Sequence, residues 1–302
     1  MNSAKAQRMG VIYVILSAVF FGMMPLLARI AYAHGSNAYT VAFARFFVGG
    51  LILGAIIVFT PGLSLRISGR QLYSLMVLSV PYVLVPVMLY GSYNYIDSGL
   101  ATTLHFTYPI VVMVIMVLFC ETRLDTKQIV CGALCVGGIA LMYTPDGQIS
   151  VPGIALAAGS GIVYAVYIVL LARSPARELP VLVLTFWLSM ISAAGIGVIA
   201  LCGGNLVLRL DGSGWLAQAG MAVVATVFAV VLFQKGLFLC GEIKASLFST
   251  FEPVTGIVIG LAVFHETLSM REVLGVVGIL TAVVLLVTPA QGRRPWGKCI
   301  KK

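Results

Sequence analysis

Charge is scarce in this chain, and acidic charge is scarcest. Of 302 residues only 10% are charged, with 10 Asp or Glu against 19 Lys or Arg. The 3 histidines, His34, His105 and His265, lie far apart in the sequence. An enzyme working at a membrane face needs Asp, His or Cys clustered there, and the scattered acids and histidines give no such cluster. No glycine-rich loop of the phosphate-cradling kind occurs, which argues against direct ATP drive. The 6 cysteines lie nearly all in or beside apolar segments, where cysteine behaves as a small hydrophobe. Cys131 and Cys135 are four apart on one helix face, but no histidine or carboxylate cluster joins them. No metal, cofactor or structural disulfide is therefore expected. Long hydrophilic stretches are also missing, so there is no room for an added soluble domain. The net charge of +9 sits in short loops and in a basic tail, a topological pattern rather than a nucleic-acid footprint. No nucleic-acid partner is expected.

What the chain has is apolar length. It is 60% hydrophobic, with a mean hydropathy of +1.06. Runs of the ~20 apolar residues that a bilayer crossing requires recur from end to end. They predict ten spans, near 9–32, 38–60, 71–93, 98–120, 127–144, 151–172, 180–202, 214–238, 243–264 and 271–288. The first follows a short basic leader and mimics a signal peptide. Its apolar run is too long for that, so it reads as an uncleaved first helix. With the N-terminus inside, 15 of the lysines and arginines fall on the inner side and only Arg209 and Arg271 outside. The asymmetry predicts a multi-pass protein of the cytoplasmic membrane with both termini cytoplasmic. Its expected partners are the lipid bilayer and a small-molecule solute.

The chain also repeats itself. Leu26-Leu27-Ala28-Arg29 returns as Leu170-Leu171-Ala172-Arg173, 144 residues later. At the same offset Ala101 returns as Ala245, Pro109 as Pro253 and Thr144-Pro145 as Thr288-Pro289. The expected division is a first five-helix repeat at 1–147, a second at 148–290, and a basic cytoplasmic tail at 291–302. Five is odd, so the second repeat must enter the membrane from the opposite side. The predicted fold class is all-α integral membrane, ten transmembrane helices as two inverted five-helix repeats. Inverted repeats mark secondary transporters, whose sites lie near the midplane between the halves. A symmetric channel or scaffold is the alternative.

The residues also resemble a family. Phe21-Gly22, Leu27-Ala28-Arg29 and Ala42-Phe43-Ala44-Arg45-Phe46 are similar to the small-residue helix, basic residue and "RF" signature of the drug/metabolite transporter superfamily, in its EamA-type branch. Glu252-Pro253, then Glu266 and Gly275, resemble that family's closing motif, and the likeness covers nearly all of the chain. It departs at one loop, where Glu121 to Gly132 is 11 residues and Glu266 to Gly275 is 9. The resemblance implies export or exchange of small metabolites, often amino acids, through a central cavity by alternating access. A multidrug or nucleobase-type efflux protein, or an uncoupled facilitator of the same fold, is the alternative.

Candidate site residues follow from polarity inside apolar spans. Glu252 sits mid-span, where a carboxylate costs about 2.5–3.5 kcal/mol to insert, and Pro253 loosens the helix beside it. It reads as a strut to a buried cation, a partner for a substrate amine, or a proton carrier. Arg45 reads as a structural partner or as a clamp for an anionic substrate group. Ser249, Glu252 and Gly256 share one face, the glycine permitting close helix approach. His105 and Tyr108 occupy the repeat positions of Ser249 and Glu252. His105 is a core histidine, a cavity donor or, with Glu252, a proton-coupling site, which would make protons a possible partner. Tyr82, Tyr90 and Tyr164 lie where a cavity wall is expected, and deep hydroxyls need partners. Pro25, Pro81, Pro86, Pro109 and Pro253 are candidate bends. Only the second repeat carries the charge at this place, Glu252 where the first has Tyr108.

Overall fold

The computed structural model describes residues 3–96, 98–142, 150–264 and 269–287. Thr144-Pro145, His265, Glu266, Thr288-Pro289 and the basic tail at 291–302 lie outside the described residues. Among those described are helices and connecting turns, with no strand. The first half holds α1 (Ser3–Gly22), α2 (Met24–Ala33), α3 (Ala38–Phe59), α4 (Gly69–Ser92), α5 (Ser98–His105), α6 (Tyr108–Cys120) and α7 (Thr126–Met142). The second holds α8 (Val151–Arg173), α9 (Val181–Cys202), α10 (Gly212–Met221), α11 (Val231–Cys240), α12 (Glu242–Ser249), α13 (Phe251–Phe264) and α14 (Met270–Val287). A 3-10 turn, Pro175–Glu178, precedes α9, and a π-helical stretch, Ala222–Val230, joins α10 to α11.

The broken helices α1–α2, α5–α6, α10–α11 and α12–α13 each make a single crossing. Each half thus supplies five. Among the described residues 8 crossings are long and apolar enough to span a bilayer, and the 17-residue α7 is a shorter apolar helix. The last crossing, α14, has 18 residues. The chain is an all-helical integral membrane protein built as two inverted five-helix repeats. Arg66, Arg70, Arg123, Lys127, Arg173 and Arg177 collect where α3 meets α4, α6 meets α7 and α8 meets α9. That is the basic face; the other is the far face.

Side-chain caps mark where crossings start. Asn37 accepts the Thr40 amide at 2.8 Å before α3, and Asp211 accepts the Gly214 amide at 2.7 Å before α10. Ser68 with Gln71 forms a reciprocal capping box before α4. Ser269 with Glu272 forms another before α14. Helix ends leave unpaired donors that apolar surroundings cannot satisfy, so these polar residues set the register of each entry.

Packing reveals the two-fold. α3 packs on α9, α7 on α14 and α6 on α12, each helix meeting its own repeat partner or that partner's near equivalent. α1 packs on α11 as α8 packs on α4. α1 also meets α12 and α13 as α8 meets α5 and α6. Lipid offers little hydrophobic drive between helices, so close backbone approach matters more. The α7–α14 crossing shows it: a Cβ added to Gly275 would collide with the Gly138 carbonyl.

The helix breaks fall at matching places. α5 ends at His105 and α12 at Ser249, which are 144 residues apart. Pro109 and Pro253 follow, and a proline cannot donate to the carbonyl four residues back. Threonines stand in the breaks. Thr107 Oγ1 donates to Leu104 O at 2.7 Å, and Thr250 Oγ1 to Leu247 O at 2.6 Å. Pro25 likewise stands at the start of α2, just after a break. Pro81 and Pro86 lie inside α4, which stays one continuous helix.

A candidate solute cavity between the halves

The two breaks and the middles of α3, α4 and α8 converge between the repeats. Arg45 on α3 lies with its guanidinium 5.1 Å from the Phe46 ring and 5.9 Å from the Phe21 ring. Its Nη1 is 3.8 Å from Met24 Sδ, while its buried Nε has no hydrogen-bond partner. The Arg45 carbonyl accepts the Thr226 hydroxyl at 3.0 Å. Thr226 is in the π-helical stretch, where side chains are turned from their α-helical bearings. Glu252 starts the first turn of α13. The two charges interact across the space, but no ion pair within 4.0 Å joins them. Tyr90 and Tyr164 each lie within electrostatic range of both. Arg45, Tyr90, Tyr164 and Glu252 are all partly exposed although each lies within a span. Polar groups that face one another across four helices within the spans make this the candidate solute site.

Aromatic rings connect these groups. Phe46 and Tyr82 are 5.0 Å apart by ring centroids, Tyr82 and Tyr167 5.1 Å, and Tyr164 and Tyr108 4.8 Å. Such separations suit offset and edge-on ring packing. His105 closes the row, 5.6 Å from Tyr108 and 5.5 Å from Tyr164. Its Nδ1 is 2.9 Å from Ser160 Oγ, and that hydroxyl donates to Ala157 O at 2.6 Å. Ser160 has spent its proton, so the network assigns the ring hydrogen to Nδ1 and leaves Nε2 bare. Gly161, next on α8, makes this approach possible: a Cβ there would lie 2.6 Å from the His105 carbonyl. That carbonyl is the one left open by Pro109. Tyr108 is buried with its hydroxyl against Ser249, which donates to Ala245 O at 2.9 Å.

The eight residues singled out from the sequence therefore belong to one neighbourhood. Two details differ from expectation. Gly256 does not mediate close helix approach, because a Cβ there would meet nothing within 4 Å. Ser249 and Glu252 are moreover separated by a helix break rather than stacked on one helix. Ser160 and the π-helical stretch enter the site without any motif to announce them, while Tyr167 shares the helical spacing of Tyr164. Among the described residues no group of three or more His, Cys, Asp or Glu is placed to hold a metal ion. Hollows of about 400 and 450 Å³ open beside Leu65 and beside Arg173 on the basic face, away from the charged pair.

The EamA-like transporter family profile matches residues 8–144 and again 151–288, one match per repeat. The chain belongs to the EamA-like transporter family. An uncharacterized transporter of Archaeoglobus fulgidus is 28% identical over 281 residues, covering 93% of this chain and 97% of that protein. An uncharacterized transporter of Synechocystis is 29% identical over 223 residues, covering 68% of this chain and 65% of that one. A solved crystal structure superposes with a TM-score of 0.78 at 14% identity, covering 92% of this chain and 96% of that one, which speaks to fold alone.

Proposed function

We propose that this transporter moves a small amphipathic metabolite, with an amino acid as the best fit, outward across the cytoplasmic membrane by alternating access. The observation that carries the reading is the opposed pair Arg45 and Glu252, held apart in a partly exposed space walled by aromatic rings. A guanidinium suits a carboxylate, a carboxylate suits an amine, and rings suit an apolar side chain. The two charges do not neutralise each other by contact, so a zwitterion fits between them. Tyr82, Tyr90, Tyr108, Tyr164 and Ser249 supply walls and hydroxyls around it.

Alternating access has a natural pivot in the paired helix breaks at His105–Tyr108 and Ser249–Phe251. In the conformation described here Tyr167 and Gln234, on the side of the basic face, are buried. Positive charge on that face makes it cytoplasmic. Glu252 is the better proton carrier of the two candidates. His105 is already bonded through Nδ1 and holds its place as a wall. A multidrug-type cavity needs no matched charge pair, which favours the metabolite reading.

Counterflow in proteoliposomes tests it. Vesicles preloaded with a panel of amino acids, nucleobases and lipophilic cations are challenged with trace labelled solute. Trans-stimulated uptake is expected for neutral amino acids. Stimulation confined to nucleobases or lipophilic cations would move the function to the efflux alternative.

A further inference from the structure

A row of buried polar atoms without partners leads from the central cavity toward the basic face. The Tyr82 and Tyr167 hydroxyls, Gln234 Nε2 and the Ser189 and Ser192 hydroxyls have no hydrogen bond within 3.5 Å, although Tyr82 faces Arg45 and Tyr167 faces Gln234 closely enough to interact. Tyr167, Gln234, Ser189 and Ser192 are each at most 1% exposed. Three of the atoms are neighbours, and Ser189 packs beside Gly50 of α3. Tyr82 and Tyr167 rings are 5.1 Å apart, Tyr167 lies beside Gln234, and Thr185 Oγ1 donates to Gln234 Oε1 at 2.7 Å. Thr185, Ser189 and Ser192 fall on one stripe of α9.

Buried polar groups are normally paired, and each one left unpaired disfavours the conformation that buries it. Several in one row mark a surface that is wet in another conformation. The repeat gives the row a meaning. Ser189 stands 144 residues after Arg45, and Gln234 stands 144 after Tyr90. These are the inverted counterparts of cavity-lining residues, placed in the half of the path that is closed here. They differ in chemistry: the far half carries a charge, whereas this row is hydroxyl and amide throughout.

We propose that Tyr167, Thr185, Gln234 and Ser189 line the basic-face half of the solute path, and that this uncharged lining admits net-neutral solutes and rejects those with net charge. The proposal rests on the transport reading above, but its test does not need the solute.

The full chain bearing Ser189→Cys is reconstituted and treated with neutral, cationic and anionic methanethiosulfonates of similar size. Modification of the peptide holding residue 189 is followed by mass spectrometry, with each rate normalised to that reagent's reaction with a free thiol. The neutral reagent is expected to react at least about tenfold faster than either charged one, since a charge in an uncharged apolar-walled path is costly. Ser192→Cys, a turn further along, repeats the measurement should the first variant fold poorly. No modification at either position means sealed packing and overturns the proposal. Equal rates for the three reagents overturn its selectivity. Neutral-selective modification without amino-acid counterflow upholds the path and removes only the amino-acid reading.

Discussion

Gly137 and Gly138 are adjacent on α7 and should respond to alanine with opposite signs. Gly137 is exposed toward lipid, and an added Cβ meets nothing within 4 Å. Gly138 is buried against α14, and an added Cβ would lie 2.7 Å from the Gly275 carbonyl and 3.0 Å from Ile279 Cγ1. Ordinary van der Waals separation begins at 3.4 Å, so the axes must part by several tenths of an ångström. The obstacle is backbone, which has no rotamer to change. Helix propensity favours alanine at both sites by about 1 kcal/mol. Overpacking at Gly138 costs about 1–3 kcal/mol, and parting the close Cα–H···O approaches of the two backbones costs about 0.5–1 kcal/mol more. The propensity gain cancels in the comparison, leaving Gly137→Ala the more stable by about 1.5–4 kcal/mol. Thermal unfolding in detergent should show a gap on the order of 5 °C. Equal stability, or Gly138→Ala the more stable, would refute the close crossing of α7 and α14.

Gly241, between α11 and α12, has φ 85° and ψ 167°, a conformation open almost only to glycine. Nothing lies within 4 Å of its Cβ position, so Gly241→Ala should lose about 1–3 kcal/mol of stability through backbone strain alone, as a lowered melting temperature. On the far face Asp211 accepts from Gly214 N and pairs with His34 at 2.8 Å. The Gly214 amide, then His34, holds its carboxyl below the ordinary 3.8. Its contribution is present above that value and is lost as pH falls through the lower folded one. Asp211→Asn should therefore flatten the acid limb of melting temperature measured from about pH 6 to about pH 2. Trp187 Nε1 donates to Leu65 O at 3.0 Å, tying the α3–α4 connection to α9. Trp187→Phe should make the peptide bonds near Leu65 more susceptible to limited proteolysis while leaving the far face unchanged.

The architecture was legible because bilayers constrain sequence so tightly. Spans read from apolar length agree closely with the helices, and the 144-residue offset places both breaks, since proline cannot complete the ladder on either copy. Charge inside an apolar span singled out Arg45 and Glu252 by cost alone. The π-helical stretch at Ala222–Val230 could not be read, because it contains neither proline nor glycine, and the contact of its Thr226 with the Arg45 carbonyl is tertiary. Pro81 and Pro86 do not break α4, whereas Pro25, Pro109 and Pro253 each follow a break. Gly256 and Gly138 look alike in sequence, yet only Gly138 meets a neighbouring backbone. Which small residue faces a helix and which faces open space is a tertiary fact.

The central claim is that Arg45 holds a solute carboxylate opposite Glu252. The direct measurement is competition by an amino acid and by its amide, which lacks the carboxylate, in counterflow on wild-type, Arg45→Ala and Glu252→Gln proteins. The wild type should prefer the acid by at least about tenfold, because a site built for a carboxylate is left with an unpaired charge by the amide. Arg45→Ala should bring the two within about twofold, while Glu252→Gln should weaken both and keep their order. An acid-to-amide preference that survives intact in Arg45→Ala would contradict the account.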